Sequence, residues 1–315
     1  GRSERSFLLV GLRGVGKTVL LNRVRELASD LDYHAVLLEA HEGKPLAALL
    51  LPPLRQLLIA LDRMAQISRK AKRGLRVLKS FFNGLKLTYH DIEIGIDVEP
   101  EPGAADSGNL EADLAEVFVA LGEAAAERKT AVALIIDEMQ YLSENELSAL
   151  IMAMHQISQR QLPVVLVGAG LPQLVAQAGR SKSYAERLFQ FPEVGALVAQ
   201  DAADAVQEPV QEQGVKFTED ALREIIRQTR GYPYFLQEWG YQAWNLATRS
   251  PIGIGVVHEA TRESIRRLDA NFFRVRFDRL TPREKDYLRA LADMGDTTQR
   301  SGDIVRIEHR HETAE

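Results

Sequence analysis

The segment Gly11-Leu-Arg-Gly-Val-Gly-Lys-Thr18 constrains this chain more than any other. It fits G-x-x-x-x-G-K-[ST] and lies between an apolar run ending at Val10 and a helical pattern starting at Lys17. Glycines at 11, 14 and 16 let the backbone curl so that successive N–H groups point inward, and the helix that follows adds positive partial charge at its N-terminus. Such a loop cradles phosphates. Gly11, Gly14, Val15, Gly16 and Val19 belong to the cradle, Lys17 reaches the β- and γ-phosphates, and the Thr18 hydroxyl ligates Mg²⁺.

The surrounding sequence supplies the strands and helices that a strand–loop–helix unit needs. Ser6–Val10, His34–Glu39, Ala131–Ile136 and Pro163–Val167 read as short apolar strands, and a last strand is expected near Val194–Val198. Helical spacing covers Lys17–Ser29, Leu46–Ile67, Leu110–Arg128 and Glu144–Gln159, with Pro52-Pro53 expected to kink or split the second of these. Lys86–His90 and Ile92–Val98 alternate with period two and predict a hairpin, and Glu99–Asn109 reads as a loop. Five strands separated by helices imply right-handed crossovers and a parallel sheet covered on both faces. After Gln200 the pattern is purely helical: Asp201–Gln213, Thr218–Arg230, Tyr234–Thr248 and Val256–Leu268. Thr281-Pro282 then starts one more helix.

Ala131-Val-Ala-Leu-Ile-Ile136 runs directly into Asp137-Glu138. A carboxylate at the C-terminal edge of a central strand helps hold Mg²⁺, the Walker B role, and Asp137 takes it. Glu138, one residue on, polarises the attacking water, so hydrolysis is expected as well as binding.

These pieces together resemble the AAA+ class of P-loop ATPases, in the branch near archaeal-type ATPases, STAND NTPases and origin initiators. The resemblance rests on GLRGVGKT, ALIIDEMQYL, PVVLVGAGLPQL, SYAERLF and GYPYFLQEWG, which span residues 6 to about 250. It implies ATP and Mg²⁺ as cofactors, a five-stranded sheet in the order 5-1-4-3-2 flanked by helices, and an all-α lid. The implied boundaries are a core over 1–200 with a basic insertion at about 63–100, a lid over 201–270, and a partial winged-helix segment with tail over 271–315. Arg187, just before the last strand, matches the place of an arginine finger that completes a neighbour's site; Arg180 is a rival, and a plain surface arginine is the alternative. Pro233 in Gly231-Tyr-Pro-Tyr matches the lid's G-x-P near the base, although a helix that starts at a proline explains it equally. The chain also departs from the pattern. Gly168-Ala-Gly170 stands where relatives carry a polar sensor at the end of the fourth strand, and no arginine accompanies the G-x-P.

Composition narrows what the nucleotide chemistry serves. The absence of cysteine excludes disulfides, zinc ribbons and a thiol nucleophile. The longest apolar run, Leu162–Leu171, is far short of the ~18 residues of a membrane helix, and no signal peptide opens the chain, so a cytoplasmic protein is expected. Gly1 in place of Met implies a piece of something longer, with the upstream segment that helps hold adenine in relatives missing. The net charge of −5 argues against indiscriminate coating of nucleic acid. Two zones are nonetheless basic: 63–90 carries eight Lys/Arg and no acid, and 262–289 carries nine basic and five acidic residues. The stretch from Arg69 to Lys79, interleaved with Leu75, Leu78 and Phe81, fits either a helix with an apolar face for a partner and a cationic face for DNA or anionic lipid, or a solvated helix docked through its apolar face. The expected partners are therefore ATP and ADP, a second copy of the chain, and a DNA or protein client at 63–86 or at the C-terminal region. Three functions fit: a Mg²⁺-dependent ATPase driving a conformational or assembly switch, a non-hydrolysing nucleotide-dependent regulatory module, and a DNA-directed ATPase resembling initiators and transposition helpers.

Overall fold

Side-chain alternation along the strands decides the layering of the first unit. Leu8, Val10, Val132, Leu134, Ile136, Val164 and Leu166 face one core, while Leu9, Ile135, Val167 and Ala169 face another. A sheet apolar on both faces must be covered on both. The computed structural model describes residues 6–63, 68–84 and 98–295, together with 300 and 302. Its strands are β1 (Phe7–Val10), β2 (His34–Glu39), β3 (Val132–Asp137) and β4 (Val164–Gly170), all parallel in the order β1-β4-β3-β2. Helix α1 (Lys17–Asp30) covers the smaller core through Leu21. The larger core lies under α2 (Leu46–Arg63), α3 (Arg69–Gly84), α4 (Leu110–Glu127), α5 (Glu144–Gln159), α6 (Gln173–Ser181) and α7 (Ala185–Leu188).

The sheet has four strands among the described residues, not the expected five. The segment beyond β1 pairs at residues 190–194, earlier than the expected 194–198, and forms only isolated bridges at Phe7–Gln190 and Val10–Glu193. Its ladder alternates from Gln190 N–H to Ser6 O, Leu8 N–H to Gln190 O, Val10 N–H to Pro192 O and Val194 N–H to Val10 O. The step in which residue 192 would donate to Leu8 is the one a proline cannot make, since it carries no N–H.

One further expectation shifts, and one is left untested. Pro52 and Pro53 do not split the second helix, because α2 runs unbroken through both. The expected hairpin over 86–98 lies outside the described residues, apart from Val98.

The chain divides into two units, Gly1–Ala196 and Leu197–Glu315. The second is all-helical: α8 (Ala199–Gln211), α9 (Glu219–Thr229), α10 (Pro233–Leu246), α11 (Ile254–Leu268), a π-helical turn at Asp269–Phe273, α12 (Arg274–Asp278) and α13 (Pro282–Asp293). Its own core gathers Ile225, Leu236, Trp239, Ile252 and Val257, and the Trp239 indole donates to Thr261 Oγ1 at 3.0 Å. The helix expected at Thr281-Pro282 is α13, closed by a capping box between Thr281 and Glu284. The remainder of the expected winged helix falls almost wholly outside the described residues.

Candidate nucleotide site

The glycine-rich loop follows β1, and α1 starts at Lys17 directly after it. Gly14 (φ 81°) and Gly16 (φ 93°) lie in the left-handed region, which explains glycine at both positions. Gly11 is required for a different reason: a Cβ there would sit 2.2 Å from the Val194 carbonyl oxygen and 3.1 Å from the Val15 side chain. The loop is thus seated on the 190–194 segment, with Val15 buried beneath it. Gly11 N–H also donates to Gly170 O at 3.2 Å, tying the loop's start to the end of β4. Helix α1 has no side-chain cap and no acid in its first turn, so its leading N–H groups keep their positive character for an anion. Val19 is exposed on α1.

Lys17 is buried, and its ammonium donates to the carbonyls of Gly11 (2.9 Å) and Leu12 (2.8 Å). Burial holds it below the usual lysine range; Glu138 and then Asp137 oppose that shift, and Arg13 adds to it. The Thr18 hydroxyl donates to Asp137 Oδ2 at 2.5 Å, so β3 and α1 bring these two oxygens together across 119 residues. Glu138 follows in the left-handed region (φ 54°, ψ 36°), with its N–H donating to Asp137 Oδ1 at 2.8 Å. Two neutral or anionic oxygens side by side suit a hard cation such as Mg²⁺, which is held by few protein ligands and keeps most of its waters.

The structure adds three residues to the expected set. Arg13 on the loop donates to the Tyr141 hydroxyl at 3.0 Å. Gln140, on the 3-10 turn Met139–Tyr141, donates to Glu138 and accepts from Leu171 N–H at 3.1 Å. The glycines at the end of β4 make room for this turn. A Cβ on Gly168 would meet Met139 Sδ at 2.1 Å, and one on Gly170 would lie 3.1 Å from Gln140 Oε1. A polar side chain from the neighbouring turn, Gln140, thus stands at the end of β4. The run DEMQY held that signal, since a glutamine two residues past Glu138 reaches back once the chain turns.

The other expected residues lie on elements of their own. Arg187 is exposed on the four-residue α7, and Arg180 is exposed on α6; among the described residues neither has a hydrogen bond or ion pair to residues 11–18. Pro233 is the first residue of α10 in the second unit. Gly231 has φ 71°, its carbonyl accepts from Leu197 N–H at 2.9 Å, and a Cβ there would lie 2.3 Å from Leu197 O. A backbone requirement therefore accounts for Gly231, and Pro233 stands at a helical position that suits a proline.

The α3 face resolves as docked. Leu75, Val77, Leu78 and Phe81 are buried against α2 and α4, so the apolar side of the basic stretch has its partner within the unit. Lys70 pairs with Glu123 at 2.5 Å, Arg73 with Glu101 at 3.0 Å, and Lys79 donates to Val98 O at 2.6 Å. Arg69, Lys72 and Arg76 are exposed.

A phosphate cradle, a threonine–aspartate pair and a following glutamate on a parallel α/β sheet define a P-loop nucleotide-binding ATPase. The chain belongs to the AAA ATPase domain family, whose profile matches residues 1–167. Residues 270–314 match a family described as a domain of unknown function. No curated protein sequence matches the chain. Among solved structures, Cdc6p from Pyrobaculum aerophilum is 17% identical, with 96% of this chain and 72% of that one aligned at a TM-score of 0.51, a likeness of fold. Orc1 of Aeropyrum pernix, solved in complex with DNA, is 16% identical over 98% of this chain and 72% of that one at a TM-score of 0.47. The RuvB Holliday junction branch migration motor of Thermotoga maritima is 15% identical over 82% of this chain at a TM-score of 0.46, and this chain spans 61% of that one. Among the described residues no helix is long and apolar enough to cross a membrane.

Proposed function

We propose that this AAA ATPase domain protein hydrolyses ATP with Mg²⁺ to drive a conformational or assembly switch. The observation that carries the reading is the Thr18–Asp137 hydrogen bond, which joins the end of the loop to the first carboxylate of the pair after β3. Lys17 and the amides of Gly14, Val15, Gly16 and Val19 bind and orient the phosphates, with Gly11 seating the loop, because an uncapped helix N-terminus and an ammonium both favour an anion. Thr18 and Asp137 hold the metal ion, which when bound neutralises charge that builds on the phosphate oxygens. Glu138 orients the attacking water and takes up its proton. Arg187, exposed at the surface, is proposed to complete the site of a second copy, and Pro233 is proposed to border the base.

The test is steady-state MgATP hydrolysis across a range of protein concentrations, with Glu138→Gln as control. Turnover per chain that rises with concentration, and falls at least ~100-fold in Glu138→Gln while nucleotide still binds, supports the reading. Bound nucleotide without turnover replaces it with a non-hydrolysing regulatory module. A DNA-directed ATPase is the second reading, favoured by exposed Arg69, Lys72 and Arg76. It requires DNA to stimulate turnover and the effect to vanish when those three charges are neutralised.

A further inference from the structure

Gln140 is buried, with 8% of its surface exposed, yet both ends of its carboxamide are engaged. Leu171, whose N–H it accepts, is the first residue past β4, and Glu138, to which it donates, is the first past β3. The orientation of the amide follows from its neighbours. Leu171 N–H can only donate, so the amide oxygen faces it, and the NH₂ group faces a carboxylate that, ionised, can only accept. Glu138 itself sits in a left-handed backbone conformation that is unfavourable for a non-glycine residue and persists only where the surroundings hold it. Asp137 grips that backbone at the Glu138 N–H, and Gln140 grips the side chain at Oε2. The small residues at 168 and 170 keep space for the turn, so the carboxamide cannot be displaced by side chains from β4.

We infer that Gln140 is a positioning residue for hydrolysis: it fixes the Glu138 carboxylate by one oxygen and leaves the other to orient the attacking water. This rests on the proposed hydrolytic function. A carboxylate held through one oxygen loses its rotational freedom, which is what a group in a preorganised site requires.

The test compares Gln140→Leu and Gln140→Glu with the wild-type chain in three measurements: binding of a fluorescent ADP analogue, single-turnover MgATP hydrolysis and thermal unfolding. Gln140→Leu removes both bonds. Gln140→Glu keeps the acceptor for Leu171 N–H but sets a second carboxylate against Glu138, so it tests the donor bond in a fold less disturbed. The expected result is analogue affinity within about twofold of wild type in both variants, with the hydrolysis rate down about 10- to 100-fold. In a Glu138→Gln background, adding Gln140→Leu is expected to lower the residual rate no further, since residues acting as one unit are not additive. Rates within twofold of wild type in both variants overturn the inference. So does a further loss in the double variant equal to that in the single one, which marks a purely structural role. Wild-type protein that binds nucleotide without turning it over overturns the hydrolytic reading together with this one. Turnover that survives both Gln140 variants overturns this one alone.

Discussion

Lys17 combines burial, two backbone carbonyl acceptors and a pKa below the usual lysine range. Phosphates arriving beside it would raise that pKa, so the complex binds more protons than the free protein. The linkage sign follows: nucleotide affinity is full below the Lys17 pKa of the free protein and weakens as pH rises through it. Titrating the dissociation constant of a fluorescent ADP analogue from neutral pH to the ordinary lysine range should show this alkaline limb. In Lys17→Arg, whose guanidinium stays charged, the limb should disappear even if overall affinity drops. An affinity flat over the whole range would contradict the assignment. The motif reveals which residue binds phosphate. The depressed pKa comes from packing, because Lys17 is desolvated only once the loop closes over it.

Among the elements, α3 shows how one sequence pattern supports two readings until its neighbours are known. An amphipathic basic helix looks the same in one dimension whether its apolar face meets a partner or the rest of its own unit. Here α2 and α4 cover it, and Phe81 is fully buried. Phe81→Ala should therefore cost about 3–5 kcal/mol of stability, read as a lower urea midpoint of the first unit. Neutralising Arg69, Lys72 or Arg76 should change stability by no more than about 0.5 kcal/mol each. If Phe81→Ala left the midpoint unchanged, the docked face would be wrong. The same dependence on neighbours undid the fifth strand. Residues 190–194 follow β1 with strand-like bonds, but Pro192 removes one donor, and the apolar pattern that placed a strand at 194–198 takes no account of a missing N–H.

At the scale of the whole chain, each unit has a core of its own, one around the sheet and one among α8 to α11. The loop, Thr18, Asp137 and Glu138 all lie in the first. A ligand stabilises what it binds by RT ln(1 + [L]/Kd), about 2.7 kcal/mol at a hundredfold excess over Kd. Calorimetry with MgADP should therefore raise the melting transition of residues 1–196, and this shift should be absent in Lys17→Ala. Equal shifts in the wild type and in Lys17→Ala would place the nucleotide elsewhere.

The sequence alone was sufficient for the strand–loop–helix, the carboxylate pair after an apolar strand, the two-sided parallel sheet and the helical second half. Each of these is written in local spacing: glycines where φ is positive, apolar residues at period two or 3.6, acids at a strand's end. The rest depended on groups distant in the chain meeting in space. Thr18 finds Asp137 across 119 residues, and Gln140 reaches back to Glu138 and across to Leu171. Gly11 and Gly231 are required by carbonyls of Val194 and Leu197. Spacing records what a residue does to its own backbone, whereas a hydrogen bond or a clash between separate segments exists only after the sheet has stacked them.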